Sequence, residues 1–283
     1  MKNSTKILFT GLVATGKTTY IAAMWYMLFH NRKSQLALGE LTTEDEYLNI
    51  ICEKWMSFEP VLRTPLKNSG EKVTINVVDK ITGKTIELNI PDFSGETFRS
   101  HFDQREWTEE FKEILKDTSG VLLFVNPTQT NNMPKLVIRE HELMRLFGEE
   151  PNNDGVIFEK YDPSHTPNQV KIVEELQFFE KYGDIESPLK IAIIISQWDD
   201  VDKAKENLPA PEQWLKHHLP LLYQYCKCNS SIFQVRVYGI SAQGGDYRDR
   251  EELAEKNHLE RVFITDGNEC NNDILKPIIW VTE

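Results

Sequence analysis

At 283 residues, 40% hydrophobic and 10% aromatic, the chain has material for a sizeable core, at a length that one α/β domain reaches when it carries insertions. Its formal net charge of -12 argues against a broad electrostatic footprint on nucleic acid or on an anionic membrane surface, so neither partner is expected. The opening MKNSTKILFT has no long apolar core and no small-residue cleavage site, and no stretch approaches a membrane span; a cytoplasmic location is expected.

In chain order, Lys6 to Thr10 predicts a short buried strand and Lys17 to Phe29 an amphipathic helix. Between them GLVATGKTTY fits G-x-x-x-x-G-K-[ST], with Gly11, Gly16, Lys17 and Thr18 at its fixed positions. Glycines there let backbone N–H groups turn inward around phosphates, and the new helix adds its positive end. Lys17 then reaches the outer phosphates and Thr18 offers a hydroxyl to Mg²⁺. The cradle as a whole comprises Gly11, Val13, Ala14, Thr15, Gly16, Lys17, Thr18 and Thr19.

Thr43 to Phe58 predicts a helix with Tyr47, Ile50, Ile51 and Trp55 on one face. Glu71 to Val78 and Thr85 to Ile90 alternate around Thr82-Gly83-Lys84 as a hairpin, whose second strand runs into PDFSGET. A helix from Glu106 to Lys116 precedes the apolar strand Gly120 to Val125. Helices from Lys135 to Leu146 and from Gln169 to Tyr182 flank a polar loop. The apolar strand Leu189 to Ile195 then ends in SQWDD. A helix from Pro211 to Cys226, a strand from Phe233 to Ile240 ending in SAQGG, and a helix from Asn272 to Val281, capped by Asn272 or Asp273, complete the chain.

This pattern predicts a three-layer α/β fold, a mostly parallel six-stranded sheet with one antiparallel strand and helices on both faces. Residues 1–283 read as a single domain with insertions at about 31–60, 148–168 and 245–268, where partner contacts are expected. Trp25 and Trp55 fall at core spacing, whereas Trp107 reads equally as an exposed anchor or as core. The four cysteines, Cys52, Cys226, Cys228 and Cys270, lack paired C-x-x-C spacing and read as buried or idle thiols, the alternative being a metal site to which Cys226 and Cys228 contribute without a close Cys/His pair to complete it; the histidines read as surface or packing residues.

The strand ends carry further chemistry. Asp92-Phe-Ser-Gly95-Glu96 after the hairpin resembles the metal and γ-phosphate switch of Ras-like GTPases. Ser196-Gln197-Trp198-Asp199 lies where such proteins carry the guanine-reading Asn-Lys-x-Asp, and Ser241-Ala242 resembles the element whose backbone contacts the guanine oxygen. A carboxylate such as Asp199 suits guanine, whose N1–H and exocyclic amine form a paired donor edge that adenine lacks. In order and position, these elements resemble a phosphate-loop GTPase of the translation-factor and Ras-like class. The resemblance implies GTP or GDP as ligand and a G-domain fold. It also implies Mg²⁺ held by Thr18, Thr64 and, through water, Asp92, with the Gly95 N–H on the γ-phosphate. Gln197, Asp199, Ser241 and Ala242 would then surround the base.

Arg63 beside Thr64 reads either as an arginine finger in cis or as a solvated loop arginine. Glu96 stands where the class carries a water-orienting glutamine, and Val13 where Ras has glycine; both imply slow, partner-dependent or differently arranged hydrolysis. Ser196 and Gln197 depart from the usual Asn and Lys. More closely, IAAMWYML, LRTP, PDFSGETFR, NQVKIVEELQ, SQWDD and NDILKPIIW are similar to the bacterial double-GTPase domains of prokaryotic conflict systems. That similarity implies a companion GTPase or other subunits, in a defence against phage. The expected function is a GTPase switch. The alternatives are a phosphate-loop ATPase or nucleotide kinase, which would not need Asp199, and a non-hydrolysing nucleotide-binding assembly subunit.

Overall fold

The computed structural model describes residues 5–40, 45–61, 72–91, 102–129, 145–148, 166–183, 188–203 and 210–283. Its strands are β1 (Thr5–Thr10), β2 (Leu36–Leu38), β3 (Lys72–Asp79), β4 (Thr85–Pro91), β5 (Thr118–Val125), β6 (Leu189–Ile195), β7 (Phe233–Ser241), β8 (Phe263–Asp266) and β9 (Glu269–Asn271). These described strands form one nine-stranded sheet in the order β2-β3-β4-β1-β5-β6-β7-β8-β9. From β4 to β7 the pairs are parallel; β2 and β3 on one edge, and β8 and β9 on the other, pair antiparallel.

Strand periodicity divides the core between two faces. Ile7 and Phe9 of β1 pack with helices α1 (Lys17–His30) and α2 (Asp45–Met56) and the terminal helix Lys276–Thr282; Leu8 between them packs on the other side. That second face is covered by the helices Glu109–Lys116, Asn168–Tyr182, Pro211–His218 and Pro220–Cys228. Because β5 and β6 are covered on both faces, they can be apolar without a break.

The six expected strands are present, but the sheet has three more, and antiparallel strands border both edges. Each of the three added strands has four residues or fewer, too short for periodicity to register. A cue did exist for β8 and β9: Asp266 pairs with Glu269 across the turn at Gly267, whose φ is 59°. The expected helix from Pro211 to Cys226 is two helices, because Pro220 cannot donate to the helical ladder and Leu219 turns out of it at φ -128°, ψ 58°. The last helix begins at Lys276 rather than Asn272, since the Asp273 carboxylate takes the Leu275 N–H in a turn before it. Most of the expected helix Lys135 to Leu146 and of the polar loop lies outside the described residues.

Trp107 is not an exposed anchor. It is buried among Phe111, Phe178, Phe179 and Tyr182. Of the segments read as insertions, 31–60 and 245–268 contribute described elements to the body, and most of 148–168 lies outside the described residues. α2 packs on α1 through Leu48, Ile51 and Trp55, and β8 extends the sheet. Burial pushes the Cys52 thiol up to about 11 and Cys226 to about 12, whereas Cys228 and Cys270 are exposed; no metal-binding cluster of His, Cys, Asp or Glu occurs among the described residues.

Candidate functional site

The carboxyl ends of the parallel strands β1, β4, β5, β6 and β7 share one edge of the sheet, the place where open α/β sheets hold ligands. From β1 the chain enters the glycine loop. Gly11 has φ 137°, and a Cβ there would stand 2.4 Å from the Phe124 carbonyl oxygen, so only glycine lets the loop lie this close to β5. Gly16, at φ 80°, opens α1, and a Cβ on it would meet Ser196 Cβ at 3.0 Å. The first turn of α1 carries no acidic side chain, so its positive end is uncompensated from within.

Lys17 curls over the loop, its Nζ 2.5 Å from the Gly11 oxygen, 2.8 Å from the Leu12 oxygen and 3.2 Å from Thr15 Oγ1. Thr15 is buried and donates to the Leu12 oxygen, closing the turn from inside. Thr18 and Thr19 are half-buried, and Val13 stands at the loop's crest, 55% exposed.

Two residues the sequence reading missed hold this loop. Asn126, just past β5, donates through Nδ2 to the Ala14 oxygen at 2.7 Å, and Gln129 through Nε2 to the Val13 oxygen at 3.1 Å. Asn126 is itself fixed, its Oδ1 accepting from the Thr128 N–H and hydroxyl. Ala14 has φ 57°, a costly conformation for a residue with a Cβ, and these bonds offset that cost. The available signal was a polar residue at an apolar strand's carboxyl end, as in SQWDD.

Glu175 is a third missed residue. It lies buried beneath the loop with its Oε1 accepting the Thr10 hydroxyl and its Oε2 without a partner. Burial pushes its carboxyl up to about 7, against the opposing pull of Thr10 and of the Lys17 charge.

Beside the loop a cleft of about 230 Å³ opens, walled by Gly16 and Thr19, by Ser196, Gln197 and Asp199, and by Ala242. The structure therefore brings the loop, the SQWDD segment and the Ser241-Ala242 element to one cavity. Within SQWDD, Trp198 is fully buried and lies flat on Gly239, where a Cβ would come within 2.3 Å of the indole. That anchor sets Gln197, at φ 50°, and Asp199, in the first turn of helix Trp198–Lys203, on the cleft wall. Ser196 bonds the Val125 oxygen on the neighbouring strand rather than the loop. Ser241 is buried, its hydroxyl accepting from the Gly244 N–H at 3.0 Å. Arg63, Thr64, Asp92, Gly95 and Glu96 lie outside the described residues.

A strand, a glycine turn holding a lysine, and a helix that starts without acidic residues define a phosphate-loop α/β protein. The chain belongs to the Double-GTPase 1 family, whose model matches residues 8–281. No curated protein matches it. Among solved structures it is similar to the ADP-ribosylation-factor-like GTP-binding protein, small COPII coat GTPase SAR1, from Encephalitozoon cuniculi in complex with GDP, at 11% identity, TM-score 0.36, covering 86% of this chain and 71% of that one. It is also similar to the S. cerevisiae Ski7 GTPase-like domain bound to GTP, at 15% identity, TM-score 0.44, over 86% of this chain and 43% of that one. A third likeness is to the signal recognition particle receptor SRb-GTP/SRX complex from Chaetomium thermophilum, at 12% identity, TM-score 0.40, over 86% of this chain and 92% of that one.

Proposed function

We propose that this chain is a guanine-nucleotide switch, a single G domain that binds GTP and GDP and hydrolyses GTP. The observation that carries the reading is the shared cleft, in which the helix opening at Gly16, the Asp199 carboxylate and the Ala242 turn meet at the carboxyl ends of β1, β6 and β7. Phosphates would lie against the amides from Val13 to Thr19 with Lys17 on the outer groups. The base would lie between Gln197, Asp199 and the Ser241-Ala242 turn.

Mg²⁺ fits the proposed donors, which are the hydroxyls of Thr18 and Thr64 and the Asp92 carboxylate through water, all hard oxygen ligands. When bound it would neutralise charge on the phosphates. In the same reading the Gly95 N–H meets the γ-phosphate, Glu96 acts on the attacking water, and Arg63 stabilises the transferring group. Val13, exposed at the crest, narrows the approach of any arginine from a partner. Intrinsic hydrolysis is slow in this reading, and a partner that accelerates it does so without an arginine inserted past Val13.

We place the protein in the bacterial cytoplasm, working with a companion GTPase or other subunits in a conflict system directed against phage. Among the described residues no helix is long and apolar enough to cross a membrane. Calorimetric titration with GDP, a non-hydrolysable GTP analogue and the matching ATP analogue, each with Mg²⁺, tests the reading. Guanine preference that falls in Asp199→Ala, with all binding weakened in Lys17→Ala, is expected. Equal or tighter binding of the ATP analogue to the wild type would sink the guanine assignment.

A further inference from the structure

The wall of the cleft opposite Asp199 is held from a distance. Ala242 lines the cleft, yet its carbonyl oxygen accepts from the indole N–H of Trp55 at 2.8 Å. Trp55 belongs to α2, the helix between β2 and β3, and is fully buried. It is fixed in turn by Arg261, which is 2% exposed: Nη2 donates to the Trp55 carbonyl at 2.7 Å and the guanidinium lies 3.9 Å over the indole ring. Arg261 also braces the turn beyond Ala242, since its own carbonyl oxygen would stand 2.4 Å from a Cβ at Gly244. The turn is thus pinned by Trp55 at Ala242, by Ser241 Oγ at the Gly244 N–H, and by close packing on Arg261.

The direction of the Ala242 carbonyl matters for the base. A carbonyl turned into the cleft would present lone pairs to the purine 6-position, repelling a 6-oxo group and accepting from a 6-amino group. Drawn back onto Trp55, that acceptor is withdrawn. We propose that Trp55 is a specificity-determining positioning residue: by holding the Ala242 carbonyl away from the cleft it favours a 6-oxopurine nucleotide over a 6-aminopurine one. The inference rests on the base occupying this cleft, as in the proposed function, and assigns the rejection of adenine to a residue of α2 rather than to Asp199 alone.

The test is Trp55→Phe, which keeps a buried ring and removes the N–H donor. Affinities for GDP, ADP and the diphosphate of 2-aminopurine riboside, which has the guanine 2-amino group but no 6-oxo group, are measured on one preparation of each protein. A lower folded fraction reduces all three alike, so the ratios report the cleft. The GDP-to-ADP and GDP-to-2-aminopurine ratios are expected to fall about tenfold, the worth of one net hydrogen bond. Wild-type guanine preference with unchanged ratios in Trp55→Phe overturns this inference alone; a wild type without guanine preference overturns the proposed function and this inference together. If Trp55→Phe does not fold, 3-benzothienylalanine at position 55 keeps the bicyclic ring and lacks the N–H donor. A fall in the same ratios then supports the inference, and unchanged ratios overturn it.

Discussion

Glu175 offers a direct check on the environment under the glycine loop. Its carboxyl is buried, bonded to Thr10 at one oxygen and unpartnered at the other, and faces the Lys17 charge. In the unfolded chain it titrates near 4.5; in the folded protein burial raises this to about 7. Between those values the native state retains a proton that the unfolded state has lost, so stability falls as pH rises. The full contribution is present below the unfolded value and is lost as pH passes through the folded one. Each tenfold change in proton affinity is worth about 1.4 kcal/mol, so the interval amounts to about 3 kcal/mol, of which about 2 kcal/mol falls between pH of about 5.5 and 8.

The perturbation is Glu175→Gln, which keeps an acceptor for the Thr10 hydroxyl and abolishes the titration. Urea denaturation of both proteins across that pH range gives the two stability profiles. Every other group titrates in both proteins and cancels in their difference. The amide left where Oε2 stood adds a cost of about 1–3 kcal/mol that is constant with pH, so the slopes carry the answer rather than the heights. The wild type is expected to lose about 2 kcal/mol more than the variant on going from pH of about 5.5 to 8. Parallel profiles would refute the burial argument and place water or a cation against Glu175.

Three further outcomes follow from the packing. Asn126→Ala removes the bond to the Ala14 oxygen and should weaken binding of guanine and adenine nucleotides alike, by about tenfold in calorimetry; a loss confined to guanine would contradict the assignment of Asn126 to the phosphate loop. Gly239→Ala drives a methyl group into the Trp198 indole and should cost about 1–3 kcal/mol in denaturant titration while lowering guanine preference, and an unchanged denaturation midpoint would show that Trp198 is not seated on β7. Trp107→Ala should cost about 3–5 kcal/mol with nucleotide affinity retained in the folded fraction; an unchanged stability would return Trp107 to the surface.

What could be read from the sequence follows from how local each determinant is. The glycine loop is a short-range pattern with a steric cause. Gly11 and Gly16 occupy backbone conformations and close approaches that exclude a side chain, so the motif could be read without the fold. The five parallel strands announced themselves by apolar runs, by apolar-polar alternation as in Phe233 to Val237, or by the hairpin beside them. The edge strands did not, because runs of three or four residues leave no periodic trace. Trp107 was undecidable because its burial depends on Phe178, Phe179 and Tyr182, more than seventy residues away in sequence. Glu175 escaped for the same reason, as did the bond that the core residue Trp55 makes to Ala242. Each reaches the site through one long-range hydrogen bond, which composition and spacing do not encode.

The departure of Ser196 and Gln197 from the usual Asn-Lys pair also has a physical account. Ser196 Cβ lies where a Cβ on Gly16 would approach to 3.0 Å, so β6 and the glycine loop meet at the distance of a small side chain. In that space Ser196 turns to the Val125 oxygen and makes no bond to the loop. The loop still has a tether, which comes from one strand over: Asn126 at the end of β5 takes the Ala14 oxygen, and Gln129 takes the Val13 oxygen. The SQWDD segment is thereby released from holding the phosphate loop and keeps the role its anchor supports, with Trp198 seated on Gly239 and Asp199 on the cleft wall. In the proposed function, phosphate affinity and base preference would then be carried by different strands. On that division Asn126→Ala lowers affinity for every nucleotide and preserves the preference, whereas Asp199→Ala lowers the preference to the share that Trp55 holds and preserves affinity for the phosphates. A single variant that altered both in proportion would show the two functions to be one.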